Sequence, residues 1–305
     1  MQSTAGFVAT VEQVLKVARA ARSEPAGIGI ATAGAVDSHN GSIFAATDNL
    51  PGWTGFPLGA FAAQQFRLPV AVVNDTQAAA LSELHFGVGR ELEDFVAITI
   101  GTGIGGGVVC GGKLIRGEHG FAGTLGHHVL VAGGRPCNCG RRGCLEAYVS
   151  TAALIREYCQ NGGVRAGDRG DAAQILEIKR LAQEGDAAAR KAYEALAGYL
   201  AEGVANIFNL LDPQAVLLGG GLMEENSDFV SAVEARVQAQ LHFGARRRPR
   251  VQPATAGRLA GLQGAAALVL EGEMIAGTAD RPESKRATQQ SVFTAAARPD
   301  SAACR

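Results

Sequence analysis

The stretch of sequence that decides the fold runs from residue 70 to residue 86 and reads VAVVNDTQAAALSELHF. Its first four residues, Val70–Val73, are apolar and predict a buried strand. Asn74 and Asp75 follow directly, and the segment Thr76–Phe86 is predicted to be a helix. Open α/β sheets bind ligands where a strand ends and the next helix begins. The polar pair is therefore a candidate site.

Strands and helices alternate on both sides of this stretch. The predicted elements are a helix at 7–22, a strand at 28–31, a loop through Gly34 and Asp37, a helix at 58–66, a strand at 95–100, a glycine-dense hairpin turn at 101–112, helices across 152–210, a strand at 215–218 and a helix at 259–271. This alternation predicts an α/β protein of two lobes with a cleft between them. Residues 277–305 lose the periodicity and are predicted to be a disordered tail.

A second stretch carries four candidate metal ligands. From Gly126 it reads GHHVLVAGGRPCNCGRRGCLEA, and a short window of it holds three of the chain's six cysteines. The thiolates of Cys137, Cys139 and Cys144 with the imidazole of His127 would complete a tetrahedral zinc site. No coordination position would remain for water, so we interpret the site as structural. A disulfide or idle thiols are the alternatives.

Two glycine runs are candidate phosphate loops, because backbone amides can approach an anion where no Cβ intervenes. The first follows the strand at 95–100 and the second follows the strand at 215–218, where it could flank the adenosine of a nucleotide. Glycine-rich hairpins also exist simply to turn sharply, and neither run has the Gly-Lys-Ser/Thr ending of a Walker loop. Two such runs around one cleft favour a nucleotide site.

The Asn74–Asp75 pair admits two interpretations. Asp75 could accept the proton of a sugar hydroxyl while Asn74 fixes the sugar ring by hydrogen bonds, as an aspartate does in kinase-type phosphoryl transfer. An Asn–Asp pair before a helix is also an ordinary N-cap, and the local sequence by itself favours that interpretation.

The composition excludes several classes of protein. The 305 residues carry 28 basic and 29 acidic side chains, a net charge of -1, which gives no broad positive field for nucleic acid or an anionic membrane. The sequence has no apolar run of transmembrane length and no signal-peptide pattern at its N-terminus. We therefore expect a cytoplasmic protein with no nucleic-acid or membrane partner.

With these motifs in hand, residues 26–272 resemble the ROK family of sugar kinases and repressors. The most specific element is the spacing of His127, the three cysteines and Glu146, supported by ITIGTGIGGG from residue 98 and VVNDTQAAALSE from residue 72. The resemblance implies an α/β protein with the two-lobed, actin-like sugar kinase fold, usually a homodimer. It implies an incomplete small lobe at 1–95 and a large lobe at 96–276, whose last helix returns towards the small lobe. The large lobe contains the stretch at 126–147 with the four candidate metal ligands, called the zinc loop below.

The resemblance also implies a reaction, in which ATP with Mg²⁺ phosphorylates the 6-hydroxyl of a sugar, Asp75 is the catalytic base and a structural Zn²⁺ is present. The residues implied to bind the sugar are Gly34, Asn49, Asn74, Asp75, His127 and Glu146. His127 would do this while also ligating zinc. The residues expected to bind ATP are Thr102, Gly103, Gly105, Gly106, Gly107, Gly219 and Gly220.

One departure from the family pattern bears on the substrate. ROK kinases usually carry a glutamate three residues before the zinc histidine, whereas this chain has Thr124, which offers no carboxylate to the sugar. Bacterial N-acetylmannosamine kinases of the family also depart from glutamate here, and the zinc-loop and Asn–Asp stretches look most like theirs. We therefore expect N-acetylmannosamine as the substrate, in sialic acid catabolism, with glucose as the alternative.

A second departure bears on activity, because the sequence lacks the D-x-G-G-T phosphate loop of the family's first hairpin. That loop supplies phosphate contacts and an aspartate near magnesium, so its loss removes charge stabilisation from phosphoryl transfer. We expect either a native start upstream of Met1 or a silent member that binds sugar without turning over ATP. The repressor branch would need a helix-turn-helix domain, and we do not expect one in the short segment ahead of Gly27.

Overall fold

The computed structural model describes residues 4–22, 24–46, 50–165, 170–223, 226–242, 246–272 and 274–275. Two of the expectations above, the sugar contact at Asn49 and the disordered tail at 277–305, lie outside these residues.

The first third of the chain is built on a parallel pair of strands. Its elements are α1 (Thr4–Ala20), β1 (Ile28–Thr32), β2 (Ala35–Val36), β3 (Ile43–Ala45), α2 (Leu58–Phe66), β4 (Val70–Asn74) and α3 (Asp75–Phe86). Within the described residues β1 pairs with β4 alone, and Thr32 lies opposite Asn74 at the end of the ladder. The apolar side chains of α1 and α2 pack on this pair, with Phe7 and Leu58 buried.

The rest of the chain builds a larger mixed sheet covered by helices. Its elements are β5 (Phe95–Ile100), β6 (Ile104–Cys110), β7 (Lys113–Ile115), α4 (Thr151–Gln160), α5 (Asp171–Glu184), α6 (Ala187–Leu211), β8 (Ala215–Gly219), α7 (Ser227–Gln240), β9 (Val251–Pro253) and α8 (Ala260–Leu270). The five described strands have the order β7-β6-β5-β8-β9. β5 runs parallel to β8 and antiparallel to β6, which follows it through a tight turn.

The largest core cluster lies between this sheet and α6. Leu196, Leu200 and Val204 are fully buried and four residues apart, so they form one apolar stripe along the helix. The stripe packs in the same cluster as Val216 and Leu218 of β8. The helix falls in the region across 152–210 that the sequence predicted to be helical, and it packs on β5 and β8, the strands that lead into the two glycine runs.

The last described helix contacts the first third of the chain through two glycines. A Cβ on Gly264 of α8 would lie 1.7 Å from the carbonyl oxygen of Ala78 in α3. A Cβ on Gly29 of β1 would lie 2.0 Å from the carbonyl oxygen of Ala265. Because both distances are far inside van der Waals contact, α8 lies closer to α3 and β1 than any side chain at these positions would permit.

The predicted helices and strands are confirmed, with bounds that differ by a few residues. The hairpin is confirmed too, since Ile100 lies opposite Ile104 across the turn. Four strands of two or three residues, β2, β3, β7 and β9, were not predicted, because such short segments show no periodic pattern. No helix in the described ranges has both the length and the hydropathy of a membrane span.

Candidate active site

The junction between β4 and α3 is fixed by the side chain of Asn74. Its Oδ1 accepts hydrogen bonds from the amide of Thr76 at 2.9 Å and from the hydroxyl of Thr76 at 2.6 Å. Its Nδ2 donates to the carbonyl of Gly34 at 2.9 Å. The N-cap interpretation of Asn74 is therefore confirmed, and the same side chain ties the loop at Gly34 to the helix start.

Asp75 is the first residue of α3, and its carboxylate accepts a hydrogen bond from the amide of Thr76 at 2.9 Å. The side chain is exposed to solvent, yet the protein around it removes enough water to raise the pKa of this carboxyl, against the opposing effect of the Thr76 amide. Solvent access and a raised pKa together suit a carboxylate that takes a proton from a bound hydroxyl.

The loop that leads to the zinc motif lies against the same helix. Gln77 of α3 is buried and donates to the carbonyls of Gly120 at 3.0 Å and Ala122 at 2.8 Å. Thr124 is exposed, and its hydroxyl donates to the carbonyl of Phe121 at 2.5 Å. The threonine hydroxyl is thus engaged within its own loop.

The four predicted zinc ligands converge. One ligand atom from each of His127, Cys137, Cys139 and Cys144 lies within 4.8 Å of all the others. The Sγ atoms of Cys139 and Cys144 are 3.7 Å apart, and Cys137 Sγ lies 3.5 Å from His127 Nδ1. A tetrahedral zinc with ordinary Zn–S and Zn–N bonds separates its ligands by about 3.8 Å (S to S) and about 3.5 Å (S to N).

The chemistry of this donor set also fits zinc. Burial, together with the neighbouring thiols, raises the pKa of Cys137 to about 12. Zinc binds the thiolate form, so it would displace these thiol protons, and three sulfurs with one imidazole nitrogen match the donor set of a closed structural zinc site. Because His127 faces the thiols through Nδ1, Nε2 is the ring nitrogen left for a hydrogen bond to another group. Zinc would fix the loop and supply no reactive position.

Glu146 lies two residues after Cys144 and joins the zinc loop to the glycine turn. It is 9% exposed, and its Oε2 accepts a hydrogen bond from the amide of Ile104 at 2.8 Å. Its Oε1 lies 3.9 Å from the Sγ of Cys137. A Cβ on Gly103 would come within 2.5 Å of Glu146 Oε2. Position 103 is therefore a glycine for a steric reason, because any larger residue would collide with the Glu146 carboxylate.

The hairpin of β5 and β6 thus lies between the zinc loop and the start of α3. A Cβ on Gly105 would lie 2.5 Å from the side chain of Thr76, the residue after Asp75. Gly103, two residues earlier, contacts Glu146. One short glycine-rich segment therefore contacts both the candidate base region and the carboxylate of the zinc loop.

Two glycines of the first run are required by close packing, because a Cβ at either position would clash with a neighbouring residue. Gly106 packs against the carbonyl of Ala97, and Gly107 packs against Ala80 of α3. A Cβ on Gly101 would meet no atom within 4 Å. The open side of the turn is therefore at 101–102, while 105–107 lie in β6 under α3.

The second glycine run lines a cavity of about 750 Å³. Gly219 and Gly220 contribute to its wall, together with Thr99 of β5 and Glu83 of α3. The buried Glu83 carboxylate accepts hydrogen bonds from the amides of Thr255 and Ala256, both at 2.6 Å. Cavities of a few hundred cubic ångströms that combine apolar walls with a few fixed polar groups are typical small-molecule sites.

A ROK family model matches residues 2–272. A glucokinase of Streptomyces coelicolor is 34% identical over 285 residues, covering 88% of each chain. The chain belongs to the ROK family. Among solved structures, a ROK family glucokinase from Streptomyces griseus in complex with glucose and AMPPNP is 33% identical at a TM-score of 0.73, covering 89% of this chain and 90% of that one. A candidate N-acetylmannosamine kinase from Listeria monocytogenes is 28% identical at a TM-score of 0.71, covering 87% of both.

The similarity to these relatives shows that the chain has the two-lobed, actin-like sugar kinase fold. It also shows that the protein is an ATP-dependent carbohydrate kinase. The special closeness to N-acetylmannosamine kinases that the motifs predicted is not confirmed, since the matched relatives include glucokinases of higher identity.

Several residues of this ROK site were not predicted from the sequence. Gln77 and Glu83 each hold a distant loop against α3, and Arg135 holds the zinc loop against α4. Their roles depend on partners far along the chain, so local pattern carried no signal for them. The quoted stretch VVNDTQAAALSE does contain Gln77 and Glu83, and a polar residue on the buried face of a helix is the one clue it offered.

Proposed function

We propose that this protein transfers the γ-phosphoryl group of MgATP to the 6-hydroxyl of a hexose or N-acylhexosamine, with Asp75 as the general base. The observation that carries the proposal is the glycine-rich hairpin, which contacts Thr76 next to Asp75 on one side and Glu146 on the other. A sugar between these groups would have its hydroxyls near a base, an imidazole and a second carboxylate.

The two substrates would enter from different sides of the hairpin. The sugar would be held near Gly34, Asn74, His127 and Glu146, and the adenosine would occupy the cavity beside Gly219 and Gly220. The triphosphate would then lie over the open part of the turn at 101–102, towards Asp75. Magnesium would arrive with ATP and offset phosphate charge, while zinc would fix His127 and the loop behind it.

Two observations favour different sugars. Thr124 favours N-acetylmannosamine, because its hydroxyl is bonded to Phe121 and it presents no carboxylate where ROK kinases usually carry glutamate. The glucokinase relatives favour glucose. We propose N-acetylmannosamine as the substrate on the first ground, with glucose as the alternative, and a homodimer as the assembly, which sedimentation would test.

The deciding experiment measures ADP release by the zinc-loaded protein with MgATP and N-acetylmannosamine, N-acetylglucosamine or glucose in parallel. A preference for N-acetylmannosamine would support the proposal, and a preference for glucose would replace the substrate while keeping the chemistry. If the protein binds a sugar by calorimetry but never releases ADP with it, it is a sugar-binding member and the kinase proposal fails.

A further inference from the structure

The glycine turn between β5 and β6 is anchored at both ends, by Glu146 near the end of the zinc loop and by Thr151 just after it. At its start, the carbonyl of Gly101 accepts a hydrogen bond from the amide of Thr151 at 2.9 Å. At its end, the amide of Ile104 donates to Glu146 Oε2 at 2.8 Å. The turn is therefore held in place by Thr151 and Glu146, and not only by its own strands.

The anchor at Ile104 depends on a single carboxylate. Glu146 is almost fully buried, and its Oε2 is the side-chain acceptor that faces the Ile104 amide. A buried amide that loses its acceptor retains the full cost of desolvation. Gly103 permits this contact, because any Cβ there would lie 2.5 Å from Oε2 and 3.4 Å from the carboxyl carbon.

We propose that Glu146 is a positioning residue for the turn at 101–104 and thereby sets the affinity for nucleotide, in addition to its contact with the sugar. The inference rests on the proposed function, which places the triphosphate over this turn. A turn held in one conformation before binding loses less entropy when phosphates bind to its amides. One oxygen of Glu146 would serve the nucleotide side, and the other is available to the sugar.

The test measures binding of a fluorescent ATP analogue, mant-ATP with magnesium, in the absence of sugar. Glu146→Leu removes the acceptor, and Gly103→Ala adds the Cβ that displaces it without backbone strain, since Gly103 has no positive φ. We expect each to raise the Kd of the analogue about tenfold. Glu146→Gln keeps an oxygen for the Ile104 amide, so its Kd should stay within about threefold of the wild type.

Controls separate this role from general loosening. Gly198→Ala in α6 adds a Cβ that meets no atom within 4 Å, and it should leave the Kd unchanged. Zinc content should be near one equivalent in every variant. Because Glu146→Leu and Gly103→Ala act through the same carboxylate, the double variant should bind no more weakly than the weaker single variant.

The outcomes separate a failure of this inference from a failure of the proposed function. If the wild type binds the analogue and both Glu146→Leu and Gly103→Ala bind it with the same Kd, this inference is overturned and the proposed function stands. A wild-type protein that does not bind the analogue at all would overturn the proposed function and this inference with it. A loss in Glu146→Gln as large as in Glu146→Leu would also overturn it, because the anchor needs only an acceptor.

Discussion

Asp75 combines a helix N-terminus, solvent access and a raised pKa. Asp75→Asn keeps the shape of the side chain and removes its ability to accept a proton. We expect kcat to fall by at least about a thousandfold, while the Kd for the sugar, measured by calorimetry, changes little. Asn74 provides the N-cap, so α3 should be unaffected. Turnover near the wild-type rate would remove Asp75 from the role of base.

The raised pKa of Asp75 has a defined consequence for stability. A carboxyl whose pKa is raised by folding binds its proton more tightly in the folded state, so its protonated form stabilises the fold. For Asp75 this stability is fully present below the unfolded pKa and is lost as pH rises through the folded pKa. Asp75→Asn should therefore be at least as stable as the wild type at pH 7, and the advantage should vanish in acid. Thermal melts of both proteins from about pH 3 to pH 8 measure this, and a variant that is less stable at pH 7 would contradict it.

Catalytic activity should rise with pH, because Asp75 must be ionised before it can accept the hydroxyl proton. We expect kcat/KM to rise with pH through an apparent pKa above the ordinary value of an aspartate and then to level off. A profile with its acidic limb at or below that ordinary value would contradict the environment described for Asp75.

At the scale of single elements, the zinc loop depends on its thiols. Cys139→Ser should lower bound zinc to well under one equivalent, measured by metal analysis, and reduce the melting temperature, because a serine hydroxyl is a poor zinc ligand. Cys159→Ser is the matched control, since Cys159 is exposed on α4 and outside the cluster. Full zinc content in Cys139→Ser would remove that residue from the ligand set.

The same loop is also held by a contact that needs no metal. The Arg135 guanidinium forms an ion pair with Glu157 of α4 and lies over the ring of Tyr148, 4.6 Å from its centroid. Arg135→Leu would leave the buried Glu157 unpaired and lower the unfolding free energy by about 3 kcal/mol. Arg135→Leu with Glu157→Leu should recover much of this in urea denaturation. A double variant no more stable than the single one would argue against the pair.

How much could be predicted from the sequence depended on the length of each pattern. α6 repeats its apolar stripe over 25 residues and was predicted, whereas β2 has two residues and was not. The four candidate zinc ligands could be proposed because their spacing lies within one loop, and the structure brings their ligand atoms together. Gly106 and Gly107 are predicted to bind phosphate, and that role stays a prediction, whereas their packing against Ala97 and Ala80 could not be predicted. The reason for a glycine lies in a distant partner that local sequence does not reveal.

At the scale of the whole molecule, α8 connects the end of the described chain to its first third. It packs against α3, which begins with the candidate base, and against β1, which pairs with β4. The position of Asp75 therefore depends on a helix that begins only at Ala260, far along the sequence. Loosening α8 should affect both stability and catalysis.

Two glycines of α8 provide a matched test of this dependence. Gly264→Ala would place a Cβ 1.7 Å from the carbonyl of Ala78 and push α8 away from α3, so we expect a loss of about 3 kcal/mol in unfolding free energy. A Cβ at Gly261 would lie 3.8 Å from Ala31, an ordinary contact, and alanine is the better helix former by about 1 kcal/mol. Gly261→Ala should therefore be neutral or stabilising in the same urea titration. Equal effects of the two substitutions would mean that the close approach of α8 to α3 does not hold the fold together. A loss of kcat in Gly264→Ala, measured where the variant is still folded, would show that this packing also positions Asp75.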